Sequence, residues 1–277
     1  MNYQIATLKR ANNQPAVKGV KNIIAVTSGK GGVGKSSTII GIGMILAQMG
    51  YRVCMIDMDL GLKNLDVMMG LQHRVLYDLK DVMDGKCTLS RAILQDKQQD
   101  NLYLIPACKT IHIASFQGDH FEEIVQSLKQ SFDYVLLDTP AGMESGFLYS
   151  IRCVNKAVLV TTLDVTSLQD CDRIIGILMK EGMEEISFVV NRMNVHLIEK
   201  GISVPLEEAK KWLSVEFLGY VFDDEEVMRS NNHGTPVVLK RDTLLYSCYY
   251  SIVKNMLGER VELPKYKEKS LLQKLFG

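Results

Sequence analysis

Short apolar blocks recur along this chain, each about as long as a β-strand, and polar or helically spaced stretches separate them. The blocks fall at residues 23–27, 52–57, 102–105, 134–138, 157–161, 186–190 and 217–221. Each is nearly continuous in apolar side chains rather than alternating, as strands buried on both faces require. Helical spacing marks residues 37–47, 121–132 and 167–180. Gly50 stands where the first of these helices needs a C-terminal cap, and Pro106 ends the 102–105 strand. Strands alternating with helices predict an α/β fold, a mostly parallel sheet flanked by helices on both faces, with right-handed crossovers. Residues 1–20 are polar and read as an N-terminal extension, with a short helix over 5–10. Residues 21–257 carry the repeating pattern without a linker or repeat, so they read as one domain.

Between the first strand and the first helix runs Gly29-Lys30-Gly31-Gly32-Val33-Gly34-Lys35-Ser36-Ser37. It fits G-x-x-x-x-G-K-[ST], the phosphate-binding P-loop, and strand, loop and helix is the context that motif needs. Glycines let successive backbone N–H groups turn inward on an anion, and the helix start adds partial positive charge. Lys35 is placed to reach the β- and γ-phosphates, and the Ser36 hydroxyl to ligate Mg²⁺. A single P-loop NTPase domain binding ATP with Mg²⁺ follows. In such a sheet the ligand lies at the carboxyl ends of the strands. Asp138 ends the apolar strand 134–138, the position of an acid that orients Mg²⁺ through water. Asp59, two residues beyond the second strand, is placed to hold an attacking water. Asp57 reads as a supporting residue, and Asn191 also lies at a strand end.

Composition narrows the function. Of 277 residues, 47% are hydrophobic and 23% charged, ordinary for a globular protein. Lys+Arg and Asp+Glu number 32 each, so net charge is zero and a broadly basic nucleic-acid binder is not indicated. None of the six cysteines forms a C-x-x-C pair, so they read as small buried hydrophobes in a reducing cytosol. The five histidines lack ligand spacing, and no structural metal is expected. Residues 1–22 carry no apolar core of a secretory leader. No apolar run reaches the ~18–20 residues a membrane span needs.

The C-terminal stretch 258–277 reads as a linker and an amphipathic helix. Helical geometry puts Leu271, Leu272, Leu275 and Phe276 on one face, with Ser270, Gln273 and Lys274 opposite and Lys265, Lys267 and Lys269 upstream. A short apolar stripe beside lysines is the pattern of an interfacial membrane helix.

A lysine at the second position of the P-loop, Lys30, resembles the deviant Walker A loop of the ParA/MinD ATPases. The segments 57–66, 70–79, 138–144 and 230–237 are similar to motifs of that family, and the likeness spans about 22–277. The resemblance implies an ATP-hydrolysing switch that forms an ATP-dependent homodimer, in which Lys30 reaches the partner's nucleotide. It implies that Asp59 supports water attack and that Asn191 and Arg192 fall where the adenine base is read. It implies a cytoplasmic protein, peripheral on the inner face of the cell membrane, that places the division site. Such a protein recruits a division inhibitor of MinC type to anionic membrane lipid and answers to a MinE-type or polar-landmark regulator. An FlhG-like regulator of flagellar number is the alternative, from Gln4 with Leu8-Lys9-Arg10. A ParA-type DNA-segregating ATPase fits less well, given zero net charge and the apolar tail. Metal-cluster relatives need cysteine ligands, and the segment after Asp138 has none. Phe222 departs from the family pattern, which has Pro there, and residues 195–213 match it poorly.

Overall fold

A computed structural model describes residues 22–59, 64–107, 118–142 and 145–266. The strands are β1 (Asn22–Thr27), β2 (Val53–Asp57), β3 (Leu94–Gln95), β4 (Leu102–Ile105), β5 (Tyr134–Asp138), β6 (Lys156–Thr161), β7 (Glu185–Met193) and β8 (Glu216–Phe222). They form one eight-stranded sheet in the order β3-β4-β2-β5-β1-β6-β7-β8. Every pairing is parallel except β3 with β4, where Leu94 faces Leu104. β3 is the strand the pattern does not announce, since two residues are too few to show a period.

The helices are α1 (Lys35–Gln48), α2 (Leu65–Met68), α3 (Leu79–Met83), α4 (Leu89–Ala92), α5 (Gly118–Lys129), α6 (Ser145–Ile151), α7 (Val165–Lys180), α8 (Val195–Glu199), α9 (Leu206–Leu213), α10 (Glu225–Asn232) and α11 (Leu244–Met256). α5 begins and ends three residues earlier than its spacing suggests, and Phe132 packs beyond it, fully buried. Side-chain caps fix several starts: Asp164 accepts from the Ser167 N–H at α7 and Thr243 from the Tyr246 N–H at α11. Gly50, at φ 94°, follows the end of α1 and donates to the Ala47 carbonyl, the cap expected of it.

The strands divide their side chains between two apolar clusters, as a period of two demands. Ile24, Val53, Met55 and Leu136 join α1 and α11, while Ile23, Cys54, Ile56, Val135 and Leu137 join α3, α4 and α5. α1 is buried almost all round, and Gly41 is what lets α11 approach. A Cβ there would lie 2.4 Å from the Tyr249 ring. Cys54, Cys171 and Cys248 are buried, but Cys87 and Cys153 are only partly covered, so among the described cysteines the expectation of buried thiols holds for the first three; Cys108 lies outside the described residues. No helix among the described residues is long and apolar enough to cross a membrane.

The expected N-terminal extension, 1–20, lies outside the described residues, as does the stripe Leu271, Leu272, Leu275 and Phe276. The first part of the expected linker is packed against the domain. Val261 N–H bonds Asn255 Oδ1, Arg260 pairs with Glu216 at 3.1 Å, and the Tyr220 hydroxyl donates to the Pro264 carbonyl at 2.8 Å.

Candidate functional site

The loop between β1 and α1 arrives at the carboxyl edge of the sheet. β1 lies between β5 and β6, so the loop opens directly beside Asp138, the last residue of β5. Gly34 precedes α1 at φ 91°, a left-handed conformation costly for a side chain, and a Cβ there would meet Asn191 Nδ2 at 2.0 Å. Gly29 is held as tightly on the other side: its Cβ would lie 2.4 Å from the Asp170 backbone of α7. The glycines thus serve close packing as well as an open row of N–H groups.

Three side chains converge at the floor. Lys35 Nζ donates to Asp138 Oδ1 at 2.5 Å, and the Ser36 hydroxyl donates to Asp138 Oδ2 at 2.9 Å. Asp57 ends the neighbouring strand in direct register with Asp138. Its carboxylate accepts the N–H groups of Asp59, Asn64 and Leu65, so one group ties both stems of the 60–63 segment. Burial, and next the charge of Asp138, push the Asp57 pKa up to about 7 against the N–H bonds and the Lys35 charge. Asp59 follows two residues on, its backbone N–H held by Asp57 Oδ1 at 3.0 Å.

The donor set fits Mg²⁺. A hydroxyl and two carboxylates are hard oxygen ligands, and Mg²⁺ is ordinarily held by one or two such groups plus waters and substrate phosphates. Among the described residues no group of three His, Cys, Asp or Glu could hold a metal by itself. Ser36 and Asp138 are the residues that would hold the ion.

Lys30 behaves differently from Lys35. It is half exposed and held at the start of α7, its ammonium 3.3 Å from Thr166 Oγ1 and 3.9 Å from Asp164 Oδ1. Nothing in the spacing of the chain announces these two residues as its neighbours.

Behind the loop lies a cavity of about 520 Å³, lined in part by Gly34, Ser37, Asn191, Arg192, Phe222 and Asn231. Asn191, expected at a strand end, lies two residues before it, because β7 runs on to Met193. A bulge between Val190 and Met193 makes this possible, and Arg192 takes φ 53° there. Asn191 Nδ2 donates to the Val33 carbonyl at 2.8 Å, so it clamps the loop as well as lining the cavity. Asn231 on α10 donates to Ser37 Oγ at 3.0 Å, a second clamp that came into the sequence only as part of the 230–237 motif.

The ParA family, described as NUBPL iron-transfer P-loop NTPase, matches residues 19–257. The septum site-determining protein MinD of Bacillus subtilis is 42% identical over 249 residues, which cover 89% of this chain and 93% of that protein. The MinD of Thermotoga maritima is 36% identical over 244 residues, 87% of this chain and 90% of that one. The chain in the MinC:MinD cell division complex of Aquifex aeolicus superposes with a TM-score of 0.83 at 31% identity, covering 89% of this chain and all of that one (100%). The Pyrococcus horikoshii septum site-determining protein MinD, solved with Mg-ADP, gives 0.77 at 26%, covering 85% and 95%. A ParA-family ATPase from Chlorobium tepidum shares the fold alone, at 19% identity. The chain belongs to the ParA family of P-loop ATPases, on its septum site-determining MinD branch.

Proposed function

We propose that this ATPase is a membrane switch that places the division site, and that its Lys30 and Lys35 divide the work on ATP between two subunits. The observation that carries this reading is the contrast between the lysines: Lys35 lies on Asp138 inside the site, while Lys30 points out of it. A lysine facing outward at the phosphate end suits a nucleotide held by a second copy of the chain.

Within one subunit, the loop N–H groups and the α1 start bind the phosphates. Lys35 leaves Asp138 to neutralise charge on the β- and γ-phosphates. When bound by Ser36 and, through water, Asp138, Mg²⁺ supplies further charge neutralisation at the phosphates. Asp59 orients the water, held in place by the Asp57 carboxylate. Asn191 and Arg192 line the base side. In the homodimer Lys30 adds its charge to the partner's phosphates and completes the site, so turnover is slow in the monomer.

The MinC of the Aquifex complex makes a MinC-type division inhibitor the partner proposed for this chain. Regulation by a MinE-type or polar-landmark protein, and attachment to anionic lipid through Leu271, Leu272, Leu275 and Phe276, complete the proposal. The domain organisation proposed is an extension over 1–20, the ATPase over 21–257 and a membrane-targeting segment over 258–277. Deletion of the gene in its own cell, with a fluorescent fusion restored, tests the reading. Septa displaced from their normal place, corrected by the wild-type fusion but not by its Lys35→Ala form, are expected. Normal septa with altered flagellar number would overturn it.

A further inference from the structure

Residues 257–266 form a strap over the edge of the sheet. β8 is the outermost strand on its side. The strap starts on the α11 face, where Leu263 packs at Gly219. A Cβ on that glycine would lie 3.1 Å from Leu263 and 2.9 Å from Ile252. Tyr220, one residue on from Gly219, lies on the opposite face by the strand's alternation, and the register shift between Phe217 and Gly219 brings Phe217 to that side, with Phe222. The strap follows round the edge. The Tyr220 hydroxyl holds the Pro264 carbonyl, and Tyr266 ends on the Phe222 ring at 5.5 Å, with His196 of α8 at 6.0 Å. Phe222 is 4% exposed, and it also lines the cavity behind the P-loop. Phe222 therefore touches the strap with its ring and is also a lining residue of the cavity.

We propose that the strap is an element of the nucleotide site: Tyr266 braces Phe222 as a wall for the base, and an occupied cavity holds the strap in place. This rests on reading that cavity as the base side of the nucleotide. The physical case is preorganisation. A ring packed on one side by Tyr266 and Tyr220 loses little freedom when a base packs against it, so strap and base favour each other's binding. Such coupling is reciprocal. It also differs in kind from dimerisation, because it depends on the base, which ATP and ADP share, and not on the γ-phosphate or Lys30. The root of the C-terminal segment is then set by whether any nucleotide is bound.

Hydrogen exchange over residues 257–266 of the full chain tests this, with affinity measured beside it. ATP and ADP should each slow exchange in the strap at least about fivefold, the lower end of ordinary allosteric coupling, in both the wild type and Lys30→Ala. Inorganic triphosphate, which fills the loop but not the cavity, should leave the strap unprotected. Tyr266→Ala should lose the protection and bind ADP at least about fivefold more weakly, by the same reciprocity, while Tyr266→Phe keeps both. Tyr266 is 43% exposed, so the alanine form is expected to fold. Equal protection by triphosphate, wild-type ADP affinity in Tyr266→Ala, or a strap unchanged while nucleotide is bound would overturn the inference but leave the site reading standing. Failure of the wild type to bind any nucleotide would overturn both.

Discussion

The ammonium of Lys35 lies 2.5 Å from Asp138 Oδ1, with the lysine 7% exposed and the aspartate 0%. Asp57 ends the adjacent strand in register with Asp138, so a second buried acid lies beside this pair. Removing one partner of a buried pair leaves charge without compensation, which costs about 3–5 kcal/mol. Lys35→Ala should therefore both lose ATP binding and lower the stability of the nucleotide-free protein. Calorimetric titration with Mg-ATP and urea unfolding check the two halves. Retained ATP affinity would contradict the assignment of Lys35.

The same cluster makes stability depend on pH with a definite sign. Asp57 is raised from the usual carboxylate range to about 7 in the folded chain. Between these values the folded protein holds a proton that the unfolded chain releases, so stability falls as pH rises. The contribution is complete below about pH 4 and gone above the folded value. Without nucleotide and magnesium, the melting temperature of the wild type should fall relative to Asp57→Asn as pH goes from about 5 to 8. Parallel curves for the two proteins would refute the argument.

The P-loop, Asp138 and the strand–helix alternation were legible because each is local: a fixed spacing, or an apolar run with an acid at its end. Other features were not, since they arise where distant segments meet. Arg192 takes its left-handed backbone because β7 and β8 fall out of register, and no nearby residue signals this. Thr166 and Asp164 reach Lys30 only because α7 starts beside the loop. Residues 258–266 look like a linker by composition, yet Gly219 leaves room for Leu263 and Tyr220 supplies the hydrogen bond. Phe222, a departure from the family's Pro, becomes intelligible as the ring on which Tyr266 rests.

Close packing of α1 on α11 offers a test of the fold apart from its chemistry. Gly41→Ala places a methyl 2.4 Å from the Tyr249 ring. Overpacking of this kind costs about 1–3 kcal/mol. Gly41→Ala should lower the unfolding midpoint in urea, and Tyr249→Leu in the same chain should recover part of the loss. A double-mutant cycle without coupling between these sites would show that the contact carries no energy.

Lys30 and Asp59 should fail differently. Lys30→Ala should keep nucleotide binding, because Lys30 is engaged by Thr166 and Asp164 rather than by Asp138, but lose dimerisation and turnover. Asp59→Ala should bind ATP and accumulate as a dimer, since on the proposed reading only the water-orienting step is removed. Light scattering after gel filtration in ATP separates them. A Lys30→Ala protein that dimerises as the wild type does would contradict a role across the interface.

Membrane binding should follow the nucleotide through valency. Leu271, Leu272, Leu275 and Phe276 each offer on the order of 1.5–3 kcal/mol if fully buried. Burial at an interface is partial, and ordering a helix costs part of the gain. Lysines nearby add about 1 kcal/mol each, and only over anionic lipid. One such segment binds weakly and reversibly. Two on an ATP-held dimer make the second insertion intramolecular, which raises avidity by roughly 10²–10⁴. On the proposed reading, hydrolysis separates the subunits and returns each to single-segment affinity. The chain should sediment with anionic liposomes in ATP and little in ADP, and should lose sedimentation in Leu272→Glu and after truncation before Ser270. The nucleotide response of the strap does not blur this comparison, because ADP engages the strap as ATP does. Equal sedimentation in both nucleotides, or undiminished ATP-dependent sedimentation after truncation, would reject the switch.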